Sequence, residues 1–524
     1  MSRWDSSEFT NEPLTELRRV SSRDALSEAL IRLDAELPIE APVWIGENRG
    51  SADGFESVDP GDPDRVVVTA GSAGETDVDE AARLARQGWR EWGGLPAAER
   101  ASVLLRAAGA MRAGKARLTA LAVRECGKPW HDADAEICEA IDFIEYYARA
   151  AVELERGPKL PQVPGERNEI RYVPRGTVAV IAPWNFPVAI STGMVTAGLA
   201  TGNSVLYKPA EQSPGCGFEV VRLLREAGVP KSALAFLPGG DTPGRALVRH
   251  PLVHTIAFTG SVAVGLEIAR TAAEPAPGQD HLKRLVAEMG GKNCLIVDDD
   301  ADLDEVIPAA LDSAFGFAGQ KCSAASRLVA VGGIADELLE RLAGAVATIR
   351  VGQASKFGVD LGPVIDQESV ERHAGCLALA EAEATVAARV TELPAEGWFC
   401  PPALVSDLPE GSPLSEEEIF APLLTFERVP DLNSAIELVG RSKFALTGGL
   451  FSRNPEHIRA VEMASPVGNL YINRGITGAM VGRHPFGGNR LSGTGSKAGG
   501  PGYLEHFVEP RVVCENTMRQ GLVV

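Results

Sequence analysis

Along the segment TDVDEAARLARQGWREW, which starts at Thr76, the apolar positions Val78, Ala81, Ala82, Ala85, Trp89 and Trp92 recur with helical spacing and predict one amphipathic face. Thr76 and Asp79 stand where an N-cap and its N3 acid belong. A longer helical region runs from about Pro96 to about Glu155, with breakers at Gly127, Lys128 and Pro129. Both stretches read as scaffold. Past Pro161 the pattern changes to short apolar runs bounded by Gly and Pro: VAVIAP (178–183), SVLYKPA (204–210), LAFLPGG (234–240) and TIAFTG (255–260). Helical stretches separate them, which is the βαβ rhythm of an α/β protein with a parallel sheet. Such sheets bind ligands beyond the strand C-termini. Those tips carry Asn185, Lys208 with Glu211, Gly239 with Gly240, and Thr259 to Ser261, predicting a crevice along one edge.

Length and charge narrow the picture. A chain of 524 residues exceeds what one hydrophobic core organises, so two or three units are expected. No apolar run is long enough to span a bilayer. The 51 basic and 71 acidic residues give a formal charge of −20, which repels nucleic acid and anionic membranes and favours a small-molecule partner. Eight cysteines are scattered without a CxxC pair, as in a reducing compartment. The N-terminal MSRWDSSEFTNEPLTE has early acidic residues and no apolar h-region, so a cytoplasmic location is predicted.

Several motifs fail on inspection. GSVAVG (260–265) has P-loop glycine spacing but continues with Leu266 and Glu267. GTGSKAGG (493–500) meets only a relaxed dinucleotide pattern and lacks a preceding apolar strand. His250 and His254 flank Pro251, which denies them helical metal spacing; no metal site is predicted. Chemistry therefore concentrates in PWNFP (183–187), AEMGGKN (287–293) and FAGQKCSAASR (317–327). Cys322 is a candidate nucleophile, with Lys321 placed to lower its pKa, although a lone cysteine among small residues is ordinarily structural. Glu288 ends an apolar run, where a dry pocket would raise its pKa. Asn185 lies in a Pro-bounded turn, as a rigid amide donor or a plain Asx-turn.

Taken together, PWNFP, KPAEQSP, FTGSVAVG, AEMGGKN, GQKCSAASR, EEIFAP and HPFGG resemble, in order and rough spacing, the aldehyde dehydrogenase superfamily, from about residue 40 to the C-terminus. The resemblance implies Cys322 as thiolate nucleophile, Asn185 with the Cys322 backbone N–H as oxyanion hole, and Glu288 as the base that activates water to hydrolyse a thioester. It also implies NAD as cofactor. Lys208 and Glu211 would hold the adenine ribose and Ser261 the pyrophosphate side, with Pro183, Trp184, Gly240, Thr259 and Gly260 beside them; Glu418 and Phe420 would hold the nicotinamide ribose. A carboxylate at Glu211 would repel the 2′-phosphate of NADP.

Within the superfamily, GQKCSAASR, YINRGITGAMVGRHPFGG (471–488) and SGTGSKAGGPGYL (492–504) resemble the branch that oxidises L-glutamate γ-semialdehyde in proline catabolism. That likeness implies Ser323, Gly478 and Ala479 as the α-carboxylate site, and Phe186 and Phe486 as a sandwich around the aliphatic part. Another acidic semialdehyde, such as succinate semialdehyde, is the alternative substrate; a catalytically silent protein on the same fold is the alternative of another class. The expected architecture is a Rossmann-like cofactor domain (1–155 and 175–286), an α/β catalytic domain (287–494) and a small β oligomerisation extension (156–174 and 495–524). A homodimer or an assembly of dimers follows from the resemblance.

Overall fold

The structure, a computed structural model, describes residues 9–518; the parts of the expected domains at 1–8 and 519–524 lie outside the described residues. The short apolar runs form the predicted strands Thr177–Ile181, Ser204–Lys208, Leu234–Phe236 and Thr255–Thr259, all mutually parallel where they pair. They are buried on both faces, which is why they read as continuous apolar runs and do not alternate. Arg284–Glu288 adds a parallel strand at one edge, and Trp44–Ile45 with Asn48–Arg49 completes a seven-stranded sheet at the other. The chain steps outward from Thr177–Ile181 through Ser204–Lys208 and then returns on its other side as Thr255–Thr259. That reversal is the switch point at which open α/β sheets leave a crevice.

A second seven-stranded sheet follows, in the spatial order 385–389, 403–406, 423–429, 325–331, 293–297, 447–451 and 469–472. All neighbours in it are parallel except the first pair. Glu288 ends the edge strand of the first sheet, so the expected boundary at 286/287 falls inside a strand. Two strands, Glu166–Pro174 and Val508–Asn516, pair antiparallel over their full length as a separate ribbon. Residues 495–507, assigned above to the extension, do not lie in that ribbon: Ser496 bonds Glu288, and Tyr503 and Phe507 join the main core.

The helical predictions need two corrections. The first amphipathic helix spans Glu75–Gly93, so its start precedes Thr76, and Asp77 accepts a 2.7 Å hydrogen bond from the Gly74 N–H. Asp77, not Asp79, is the acid three positions after the cap. Val78, Ala81, Ala82, Ala85 and Trp92 are buried as expected, while Trp89 is only half-buried and Gly88 lies on the inner face. The second helical region is three helices, Ala97–Ala113, Lys115–Cys126 and Trp130–Arg156; its break at Gly127 has φ 63°, a conformation that favours glycine. Ahead of the sheets, Val20–Asp34 is a helix that buries Leu26, Ala29, Leu30 and Leu33. Among the described residues no helix is long and apolar enough to cross a membrane.

Candidate active site

The turn that leaves Thr177–Ile181 carries Pro183 to Pro187 and enters the helix Ala189–Ala200. The buried carboxyl of Glu136 braces that entry by accepting from Val188 N at 2.8 Å and Ala189 N at 3.2 Å. Glu136 also pairs with the fully buried ammonium of Lys128. Lys128 Nζ in turn lies 3.8 Å from the ring centre of Phe186 and 4.8 Å from that of Phe317. One buried ion pair thus supports a ring lining the cavity and the loop leading to the cysteine.

That loop is bent sharply. Phe317 and Ala318 have φ of 50° and 55°, which non-glycine residues seldom adopt. Surrounding bonds hold them there: Gln320 Oε1 accepts from Ile365 N at 2.9 Å, and Asn185 Nδ2 donates to Gln320 O at 3.0 Å. Past the bend, Asn293 Nδ2 donates to Cys322 O at 2.6 Å, and Thr447 Oγ1 to Ser323 O at 3.1 Å. Cys322 is half-buried, between the bend and the strand Ala325–Val331. Burial, reinforced by the carboxyls of Glu418, Glu288 and Glu139, pushes its thiol up to about 12. The expected activation by Lys321 does not occur, because that ammonium turns to Asp132 at 2.7 Å. The thiol therefore holds its proton at neutral pH.

Glu288 Oε2 accepts from Gly488 N at 2.9 Å and Oε1 from Ser496 Oγ at 2.9 Å. Even so, burial raises this carboxyl to about 8, so it holds a proton at neutral pH. Glu418 accepts from Gly291 N at 2.9 Å. A Cβ on Gly290 would stand 2.0 Å from Glu418 Oε2, so a larger residue there would push this carboxyl away from the backbone.

Cys322, Asn185 and Glu288 line one cavity of about 670 Å³. The same cavity is lined by Pro183, Trp184, Thr259, Gly260, Ser261, Glu418 and Phe420, and also by Phe186, Ser323, Gly478, Ala479 and Phe486. Lys208, Glu211 and Gly240 are not in this lining. Lys208 is buried, donates to Pro209 O at 2.9 Å and lies 3.6 Å from the exposed Glu211 carboxylate. Ser261 caps the twelve-residue helix Val262–Ala273.

Sequence reasoning passed over one wall. Glu136, Glu139 and Asp142 of the helix Trp130–Arg156 also line the cavity, as do Glu12 and Leu14 from ahead of the first helix. Burial, with the charge of Glu136 beside it, raises the Glu139 carboxyl to about 8. The signal was present in AEICEAIDF: three carboxylates spaced three apart among apolar residues share one buried helical face.

A thiol, an amide and a dry carboxyl meeting between the C-terminal ends of one parallel sheet and the N-terminal ends of another define a thiol-dependent acyl-forming enzyme. The aldehyde dehydrogenase family model matches residues 44–513, and the chain belongs to that family. It is 41% identical over 509 residues to the 1-pyrroline-5-carboxylate dehydrogenase of Bacillus pumilus, covering 97% of this chain and 99% of that one. It is also 40% identical over 509 residues to 1-pyrroline-5-carboxylate dehydrogenase 2 of Bacillus subtilis, with the same coverage. A Thermus 1-pyrroline-5-carboxylate dehydrogenase solved with bound NAD superimposes with a TM-score of 0.95 at 41% identity, covering 98% of this chain and 100% of that one. Proline utilization A from Bdellovibrio bacteriovorus superimposes with a TM-score of 0.96 at 42% identity over 98% of this chain; the match spans 54% of that longer protein.

Proposed function

We propose that this chain oxidises L-glutamate γ-semialdehyde, the open form of 1-pyrroline-5-carboxylate, to L-glutamate with NAD, the second step of proline catabolism. The observation that carries the reading is that one cavity holds the thiol, amide and dry carboxyl of Cys322, Asn185 and Glu288 together with a carboxylate-sized set of donors. In that set, the Ser323 hydroxyl and the Gly478–Ala479 backbone can bind the α-carboxylate without introducing a competing charge, and Gly478 has the positive φ of 73° that opens such a loop. Phe186 and Phe486, which line the same cavity, would flank the aliphatic part.

The cofactor fits the remaining groups. Ser261 stands at a helix N-terminus, which suits a pyrophosphate, and Lys208 with Glu211 suits ribose hydroxyls. Glu418 and the edge-on pair Trp184 and Phe420, 5.6 Å apart, line the same cavity and would border the nicotinamide side. When bound, NAD accepts the hydride released from the reacting carbon. Cys322 sulfur adds to the aldehyde carbon as its proton passes to solvent, and the oxyanion of the resulting thiohemiacetal would be held by Asn185 and the Cys322 N–H. Loss of hydride leaves a thioester. Glu288, in its ionised form, then takes a proton from water as the water attacks the thioester carbon, and returns it to the departing Cys322 sulfur, so that thiol and acid are released. The exposed carboxylate of Glu211 disfavours a 2′-phosphate, so NAD is used in preference to NADP. Comparing kcat/KM for the two cofactors checks this, and parity would refute it.

At larger scale, the first sheet through Glu288 forms the cofactor domain, the second sheet the catalytic domain, and the ribbon 166–174 with 508–516 the oligomerisation extension of a cytoplasmic homodimer or assembly of dimers. The test of function is NADH formation with pyrroline-5-carboxylate, succinate semialdehyde and propanal, for wild type and Cys322→Ala. Strong selectivity for the first, lost in the variant, supports substrate and nucleophile together; better turnover of another aldehyde discards the substrate.

A further inference from the structure

The segment ahead of the first helix is closely tied to the cavity. Asn11 Nδ2 donates both to Asp142 Oδ2 at 2.8 Å and to Val481 O at 2.9 Å. Asp142 Oδ1 accepts from Glu12 N at 2.7 Å, and Asp134 accepts from Thr15 N at 2.7 Å and Thr15 Oγ1 at 2.6 Å. Phe9 packs edge-on against Tyr146, with ring centres 5.4 Å apart. A Cβ on Gly482 would lie 2.9 Å from the Phe9 ring, so the strap reaches the loop beyond Val481 only because that residue is glycine. Glu12 and Leu14 line the cavity itself, and Arg112 pairs with Glu12 at 2.8 Å.

These bonds have a direction. Asn11 joins the helix Trp130–Arg156 to the loop 478–481, whose far side is fixed by the Gly482 N–H donating to Gly499 O at 2.7 Å. We infer that residues 9–15 form a fixed wall of the substrate cavity and hold the loop 478–481 in its carboxylate-binding shape, making Asn11 a positioning residue for substrate selectivity. This rests on the proposed carboxylate-bearing substrate. Asn11 touches no reacting atom. Its effect falls on the affinity for carboxylate-bearing aldehydes and spares the chemistry at Cys322.

The experiment measures kcat and KM for Asn11→Ala and for a deletion of residues 2–15, with pyrroline-5-carboxylate, succinate semialdehyde and propanal, beside melting temperature. Expected is a KM for the preferred carboxylate-bearing substrate raised roughly ten- to hundredfold, as the hydrogen bonds from Asn11 to Asp142 and to Val481 are lost. In Asn11→Ala the kcat and the KM for propanal stay at their wild-type values. Unchanged KM for every substrate in both variants overturns the inference. So does a parallel loss for propanal and the acidic aldehydes, which marks a merely structural strap. The wild-type ranking of substrates is read separately: if it places propanal first, the proposed substrate fails, and the strap is still judged by the shift for succinate semialdehyde relative to propanal.

Discussion

Each reactive group owes its state to neighbours distant in the chain. Asn185 is oriented by Gln320 O, so its amide is already aimed before substrate arrives. Asn185→Ala is expected to lower kcat by about a hundred- to a thousandfold, the usual loss for one oxyanion donor, with little change in melting temperature. Steady-state kinetics and calorimetry together check both halves. Glu288 is protonated below about pH 8 because burial outweighs its two hydrogen bonds. The base form therefore appears as pH rises, and hydrolysis-limited turnover should increase between pH 7 and pH 9. In Glu288→Gln that rise disappears, and rapid mixing should show one burst of NADH followed by very slow turnover. A flat wild-type profile would remove Glu288 from the base role.

At the level of elements, the helix Trp130–Arg156 does more than cover the sheet. Its Glu136 pairs with Lys128, caps the helix Ala189–Ala200 and, through Lys128, supports Phe186 and the bend at Phe317. Breaking one partner leaves an uncompensated buried charge. Lys128→Met should destabilise the protein by about 3–5 kcal/mol, and Lys128→Met with Glu136→Gln by less than the sum of the two single changes. Urea unfolding of the two single variants and the double variant measures the coupling. Additive losses would mean that the ion pair does not act as a unit.

For the whole molecule, the ribbon Glu166–Pro174 with Val508–Asn516 stands apart from both large sheets, and Val512 on it, like Val163 and Met518 just beyond its strands, is exposed. A two-stranded ribbon by itself is marginal in water, so a partner subunit along its edge is expected. Light scattering should give a dimer or a multiple of it for the full chain. Removing residues 508–518 should give a monomer that still binds NAD, since the cofactor groups lie elsewhere. A monomeric full-length chain would sink the assembly proposal.

The sequence by itself determined the elements whose patterning is local: the fully buried parallel strands, the glycine-marked helix breaks, and the order of motifs that placed Cys322, Glu288 and Asn185 in one family of sites. Their short-range signals suffice because a strand buried on both faces must be apolar throughout, and a left-handed turn favours glycine. Tertiary structure decided what depends on approach between distant segments. Lys321 follows no rule of adjacency and turns to Asp132, which leaves the thiol raised by burial. Glu139 and Asp142 become cavity groups only once the long helix packs across the strand tips, and residues 9–15 become a wall only through Asp134, Asp142 and Val481. Charge state and cavity shape are sums over neighbours in space, and the order of residues along the chain does not specify those neighbours.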